Sequence, residues 1–307
     1  MGDPLIYRKV RELDVDPAEH PHGLSFLSAA SGLVRIGQRL HVVADDEHHL
    51  GVFEAGGAAP VRLVRLFEGD LPESAGKRKK RKADLEVLLR LPPGTDWPDG
   101  ALLALGSGSR PNRCRGALLA LDGQGEVHGP ARAIDLAPLY RPQGARFAEL
   151  NIEGAFIAGA ALHLLQRGGA KGPNACIRFA LAPLLAWLAE GSRTPPEPVS
   201  ITEVALGAVD GVPFGFTDGA ALADGTWLFS AVAEQTDNSY DDGSCRGALL
   251  GIADDDGRVR WMRRLAPTRK VEGIEARTSG DTIVVGMVTD ADDLEAPAEF
   301  GETTFPV

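Results

Sequence analysis

Cysteine is scarce in this chain of 307 residues: Cys114, Cys176 and Cys245 are the only three. An odd, sparse set builds no disulfide framework. Positive charge is also short, with 32 Lys and Arg against 43 Asp and Glu and a net charge of −11. That balance excludes a general nucleic-acid or membrane-surface binder, because polyanions attract a basic field. No apolar run reaches the ~18 residues that cross a bilayer. The opening MGDPLIYRKVREL lacks the charged and then apolar regions of a signal peptide. The expected location is therefore the cytoplasm. Neither a G-x-S-x-G elbow nor a P-loop is present, and no Ser-His-Asp set can be assigned.

What the chain does have is repetition. CRGALL occurs at 114–119 and again at 245–250, with a looser NACIRFAL around Cys176. Three cysteines at matching points of a repeat read as small buried residues at strand starts. Five units align on a Glu-Gly-like pair, beginning at Ser28, Lys82, Leu150, Gly215 and Lys270. In each, a polar residue opens a short apolar strand, a glycine-containing turn follows, and a second apolar strand ends in a polar loop. The key positions are Ser31, Glu86, Glu153, Asp218 and Glu272. Their spacings are 55, 67, 65 and 54 residues, with 66 around the termini, so the set closes on itself. Four short antiparallel strands per unit, repeated radially, predict an all-β, five-bladed β-propeller in one domain over 1–307. A sandwich or barrel with a coincidental repeat is the weaker fold.

The fifth unit runs out of chain after its third strand. The strand at 5–13 (LIYRKVREL) is expected to complete that last blade and close the ring. Two insertions interrupt the pattern. Residues 182–198 read as an apolar helix followed by a Pro-rich loop, and 73–82 as a basic loop carrying KRKKRK. The basic loop is either a disordered surface segment or an arm that steers an anionic substrate.

Innermost strands line the axis of a propeller, so the five key residues converge. Four carboxylates that close raise one another's pKa values unless a hard cation joins them. With no His or Cys in the ring, zinc and copper are excluded in favour of calcium. The competing reading is a solvated channel. On blade four, Thr217 competes with Asp218 for the inward place.

The order Ser, Glu, Glu, short polar residue, Glu, one per blade, resembles the calcium-activated nucleotidases, or soluble apyrases. That resemblance implies a five-bladed fold and an axial Ca²⁺ held by Ser31, Glu86, Glu153, Asp218 and Glu272. The family's nucleotide-binding loop motifs are not found here, so nucleotide hydrolysis is not implied. The Glu-Gly strand starts also resemble the phytase-like propellers of uncharacterised bacterial proteins.

Long polar loops are expected on the face where these strands begin. GSGSRPNR offers Ser109, Arg110, Asn112 and Arg113 to an anion, and Arg167 adds a cation from the next blade. Glu234, Asp290 and Asp292 are the candidate acids and bases, with Asp45 and Asp46 in a neighbouring loop. His48 and His49 are placed to reach the site, whereas His163 reads as a core residue. The expected function is hydrolysis of a small anionic substrate, a phosphoester or a lactone. The alternatives are a non-catalytic propeller whose ion is structural, and a glycosidase. Sugar-stacking aromatics are few, Tyr240 being the clear candidate in the mouth loops. The expected partner is a small molecule, with no nucleic acid and no membrane.

Overall fold

The computed structural model describes residues 2–57, 61–169, 172–191, 194–235 and 243–307. Two short strands open the chain, β1 (Leu5–Ile6) and β2 (Arg8–Glu12). Blade one is β3 (Ala30–Ile36), β4 (Arg39–Ala44), β5 (His49–Glu54) and β6 (Arg62–Arg65). After helix α1 (Ala75–Arg81), blade two is β7 (Leu85–Leu91), β8 (Ala101–Gly106), β9 (Arg115–Ala120) and β10 (Arg132–Asp135). Helix α2 (Ala137–Gly144) leads to β11 (Ile152–Ala158), β12 (Ala161–Gln166) and β13 (Asn174–Ala180). Helix α3 (Leu181–Glu190) separates these from the outer strand of blade three, β14 (Ser200–Val204). Blade four is β15 (Ala208–Val209), β16 (Val212–Ala221), β17 (Trp227–Gln235), β18 (Ser244–Ala253) and β19 (Val259–Ala266). Blade five is β20 (Lys270–Ser279), β21 (Thr282–Asp290) and β22 (Glu299–Pro306).

These strands form five separate sheets, and the five-bladed β-propeller follows from how they meet. The inner strands β3, β7, β11, β16 and β20 each touch the next, and β20 touches β3. The second strands β8 and β12 are buried along their whole length, because a blade of a propeller is covered on both faces. The apolar core is accordingly divided into wedges, one between each neighbouring pair of blades. Leu50, Leu102 and Leu119 fill the first. Leu103, Leu164 and Phe179 fill the second, and Phe156, Phe216 and Trp227 the third. Leu250 and Ile283 occupy the fourth, and Leu33, Phe53 and Phe300 close the circle.

The N-terminal segment closes the ring as its sequence predicts, with one addition. Strand β2 pairs antiparallel with β22 and becomes the outermost strand of blade five. Strand β1 instead pairs parallel with β19 of blade four, so the segment laces two blades together. The apolar insertion forms the expected helix, stopped by Gly191 in a left-handed conformation (φ 62°). The basic insertion is corrected. Residues 75–81 form helix α1, and Arg78 and Lys82 are buried. Helix α2, with Pro142 inside it, had no counterpart in the sequence reading.

Candidate functional site

Each inner strand slips out of register with its partner at one place, and on four of the five blades that place is the ring position. The unpaired residue is Ser31 in β3, Glu86 in β7 and Glu153 in β11. In β20 it is Glu272 together with Gly273. A bulge of this kind re-aims a side chain without ending the strand. Blade four departs from the expected register, because its bulged residue is Thr217 and not Asp218. Asp218 instead stands where the other blades have Gly32, Val87, Gly154 and Gly273.

The carboxyl group of Asp218 is committed to backbone. Gly219 N–H donates to its Oδ1 at 2.8 Å and Ile274 N–H to its Oδ2 at 2.9 Å. Burial pushes this carboxyl well above the usual range, against backbone donors that favour the ionised form, among them Ala155 N–H. Asp218 thus ties blade four to blades three and five. Thr217 donates to Ser230 Oγ at 2.7 Å, and Ser31 to Ala29 O at 3.1 Å.

The three ring glutamates lie among four cations, the expected Arg113 and Arg167 joined by Lys82 and Lys270. On the side of blades one and two, Lys82 Nζ pairs with Asp45 and, at 3.0 Å, with Asp84. Arg113 donates to Asp84 Oδ2 at 2.7 Å and to Ser109 Oγ at 2.9 Å. Ser107 Oγ donates to the same Asp84 oxygen at 2.5 Å. Asp84 holds this place with a left-handed backbone (φ 57°), a strained conformation for a residue with a Cβ. Oxygens of Asp45, Asp84 and Glu86 lie within 4.8 Å of one another.

On the side of blades three to five, Arg167 clamps two carboxylates. Its guanidinium donates to Glu153 Oε2 at 3.0 Å and to Glu234 Oε2 at 2.8 Å. Gly243 N–H donates to Glu234 Oε1 at 2.7 Å, and Asn151 donates to the other oxygen of Glu153. Lys270 then gathers four acids. Its Nζ lies 2.6 Å from Asp292, 2.9 Å from Asp290, 3.6 Å from Glu234 and 3.8 Å from Glu272.

Eight acids (Asp45, Asp84, Glu86, Glu153, Glu234, Glu272, Asp290 and Asp292) thus crowd the mouth with four cations (Lys82, Arg113, Arg167 and Lys270). The surplus of negative charge shows in the proton affinities. Burial, then the charges of Glu153, Asp84 and Asp45, pushes Glu86 well above the usual range. Burial lifts Glu272 in the same way, with Lys270 and Arg167 opposing it. Burial raises Asp292 to about 6 against the pull of Lys270.

Several predicted site residues therefore have definite partners. Asn112 Nδ2 donates to Lys82 O, fastening the 110–113 turn to the end of α1. Arg113 and Arg167 are bound to carboxylates and so are committed before any anion arrives. Arg110 is exposed on the rim. Asp46 meets Arg78 at 3.3 Å. His49 lies 3.7 Å from Glu47, and His48 packs against Phe67. His163 is buried and stacked on Phe156 at 4.6 Å, as a core residue. The three cysteines are free; Cys176 is buried and the other two half-buried. Tyr240 lies outside the described residues. Among the described residues, no helix is long and apolar enough to cross a membrane.

The missed residues carried a signal. The place two before the bulge, at or just before the start of the inner strand, is Asp84, Asn151 and Lys270 on three blades. Reading DLE, NIE and KVE as pairs would have found all three.

Comparison places the chain in a family. It belongs to the family of unknown function DUF6929, whose model matches residues 26–304. No curated protein matches it. Solved structures share the fold. A glutaminyl cyclase of Myxococcus xanthus is 12% identical with a TM-score of 0.51, covering 99% of this chain and 100% of that one. A putative glycoside hydrolase of Parabacteroides distasonis is 9% identical with a TM-score of 0.53, covering 99% and 97%. The catalytic domain of a Coprinopsis cinerea α-L-arabinofuranosidase is 10% identical with a TM-score of 0.50, covering 99% and 98%. At these identities the likeness is one of fold. These neighbours support the propeller fold, and neither the nucleotidase nor the phytase-like likeness finds support among the comparisons.

Proposed function

We propose that this DUF6929 protein is a hydrolase that works by acid–base catalysis between mouth carboxyls, on a substrate whose reacting centre is uncharged. The carrying observation is the grouping of Glu272 and Asp292 on the single ammonium of Lys270. Two carboxyls that contact one atom lie close enough together to be compatible with the roughly 5–10 Å over which paired carboxyls hydrolyse glycosidic bonds. Glu272, whose carboxyl burial pushes well above the usual range, suits the acid. Asp292, at about 6 and the more exposed of the two, suits the group that takes a proton from water. Glu234 and Asp290 hold Lys270, and Arg167 holds Glu234. The solved neighbours that act on glycosides lend this reading a fold-level analogy only.

A phosphoester is the weaker substrate, because Arg113 and Arg167 are already neutralised and the mouth is negative. A lactone remains compatible. The test is a panel of neutral 4-nitrophenyl glycosides, an aliphatic lactone and 4-nitrophenyl phosphate. Turnover of a neutral substrate, lost in Glu272→Gln and Asp292→Asn, supports the proposal. Turnover of the phosphate alone, or no dependence on either residue, sinks it. Binding of the neutral compounds without turnover points to a non-catalytic propeller.

A second reading concerns the surplus charge. The Asp45–Asp84–Glu86 oxygens are hard donors suited to Ca²⁺. They fit such an ion in kind, with the ammonium of Lys82 as its competitor. A cation there would relieve the repulsion between acids and fix the blades around the axis.

A further inference from the structure

Helix α1 is an anomaly in an acidic protein. Six cations occupy Lys77 to Lys82, and the structure divides them by helical spacing. Arg78 and Lys82, four apart, share one face and are buried. Arg78 pairs with Asp46 at 3.3 Å and donates to the carbonyls of Pro72 and Glu73. Lys82 reaches the mouth through Asp45 and Asp84. Lys77, Lys80 and Arg81 share the i, i+3, i+4 relation on the flank beside that pair, and all three are exposed. Among the described residues, no carboxylate lies within ion-pair distance of these three.

Such a helix is costly to hold. Seven residues are too few for stability alone, where isolated helices need roughly 12–15. Ser74 makes no side-chain cap, and no acid occupies the first turn to favour the dipole. Like charges at i, i+4 repel by a few tenths of a kcal/mol per pair. The three ion pairs of the buried Arg78 and Lys82 overcome this and pin the cationic flank beside the mouth. The turn carrying Arg110 is tied to the same helix through Asn112 and Lys82 O. A basic rim therefore adjoins an acidic centre.

We infer that Lys77, Lys80 and Arg81 form an anion subsite that recognises a phosphate, sulfate or carboxylate group carried by the ligand away from its reacting centre. This rests on the proposed hydrolytic reading for what happens at the axis, but not for the binding itself. Charge sorting explains both halves. An anion is repelled from the acid-rich centre and attracted to the rim, so one molecule with a neutral unit and an anionic appendage is oriented with the neutral unit inward. The expected ligand class is a sugar or similar polyol bearing one acidic substituent.

The experiment separates binding from turnover by using Asp292→Asn protein, in which the proposed chemistry is off. Titration calorimetry compares glucose with glucose 6-phosphate, glucose 6-sulfate and glucuronate, which tells the three anions apart. At least one anionic sugar is expected to bind about tenfold or more tightly than glucose. That preference should vanish in Lys77→Gln/Lys80→Gln/Arg81→Gln and weaken in high salt, with the melting temperature of the triple variant unchanged or raised. Arg78 and Lys82 are left intact to keep the helix. Equal affinity for glucose and all three anions, or a preference that survives the triple substitution, overturns the subsite. Anion preference without turnover in the unmodified protein would leave the subsite standing and remove the hydrolase.

Discussion

A Cβ placed on Gly154 would lie 2.5 Å from the Cα of Asp218 on the neighbouring inner strand. The glycine of each Glu-Gly pair is therefore a packing requirement between blades. Gly32 and Gly273 face the same constraint, with Leu88 N at 2.6 Å and Leu33 N at 2.8 Å from the added carbon. Backbone atoms of another blade cannot swing aside as a side chain tip can. Gly154→Ala is expected to destabilise by at least the ~1–3 kcal/mol of an overpacked core, read as a lower denaturation midpoint. Gly76 in α1 has nothing among the described residues within 4 Å of the added carbon and an ordinary φ. Gly76→Ala is expected to be neutral or stabilising by up to about 1 kcal/mol, and a comparable loss in both variants would contradict this account.

Asp218 and Thr217 exchange the roles that their positions in the repeat suggest. Asp218→Asn keeps the shape but offers one carbonyl oxygen where two carboxylate oxygens accept from Gly219 and Ile274. Leaving a buried N–H without its acceptor costs about 1–3 kcal/mol. The expected result is a lower melting temperature whether or not Ca²⁺ is present. A loss that appears only in Ca²⁺ would instead make Asp218 an ion ligand.

Much of the fold was legible because the repeat is carried by residues with physical duties. Glu86, Glu153 and Glu272 mark bulges, and the spacing of these marks counts the blades. Blade four misled because it has no Glu-Gly pair, and FTDG offers two polar residues in a row where a bulge decides which one stays unpaired. Residues within one strand cannot show this, since it depends on the register with β17. The charge pairing was hidden for another reason. Arg167 meets Glu234 across two blades, and Lys82 meets Asp45 across the gap between blades one and two. KRKKRK looks like a solvated run until Asp45, Asp46 and Asp84 are placed beneath it.

Acid should weaken the fold through buried imidazole. His163 is held down to about 4 from 6.5, chiefly by burial, and its Nε2 has no hydrogen-bond partner among the described residues. Below 6.5 the unfolded chain takes up a proton that the folded chain refuses until about pH 4. Its neutral burial therefore costs nothing above pH 6.5 and progressively more as pH falls to about 4, on the order of 3 kcal/mol in all. His41, also about 4, acts in the same direction. Asp46, raised to about 7 by burial and by Asp45 and Glu47, acts in the opposite direction over an overlapping range. The difference between the native protein and His163→Phe isolates one imidazole. The Phe variant should lose less stability between pH 6.5 and 4, and parallel curves for the two proteins would refute the assignment.

Calcium binding can be decided by the competition that Lys82 sets up. Its ammonium pairs with Asp45 and Asp84, two of the three acids whose oxygens gather with Glu86. If a divalent cation binds there, it must displace that ammonium or share the carboxylates with it. Lys82→Met then removes the competitor and leaves Asp45 without its counter-charge and Asp84 with Arg113 alone, so it should bind Ca²⁺ more tightly than the native protein. Thermal melting reads this directly, since a ligand at a hundredfold excess over its Kd stabilises the folded state by about 2.7 kcal/mol. The expected order of calcium-induced shifts is Lys82→Met, then native, then Glu86→Gln, with EDTA reversing each. A Ca²⁺ shift equal in native and Glu86→Gln proteins would place the ion elsewhere. No shift in either the native protein or Lys82→Met would leave the acids balanced by lysine, arginine and retained protons, with Lys82 itself as the permanent cation of the site.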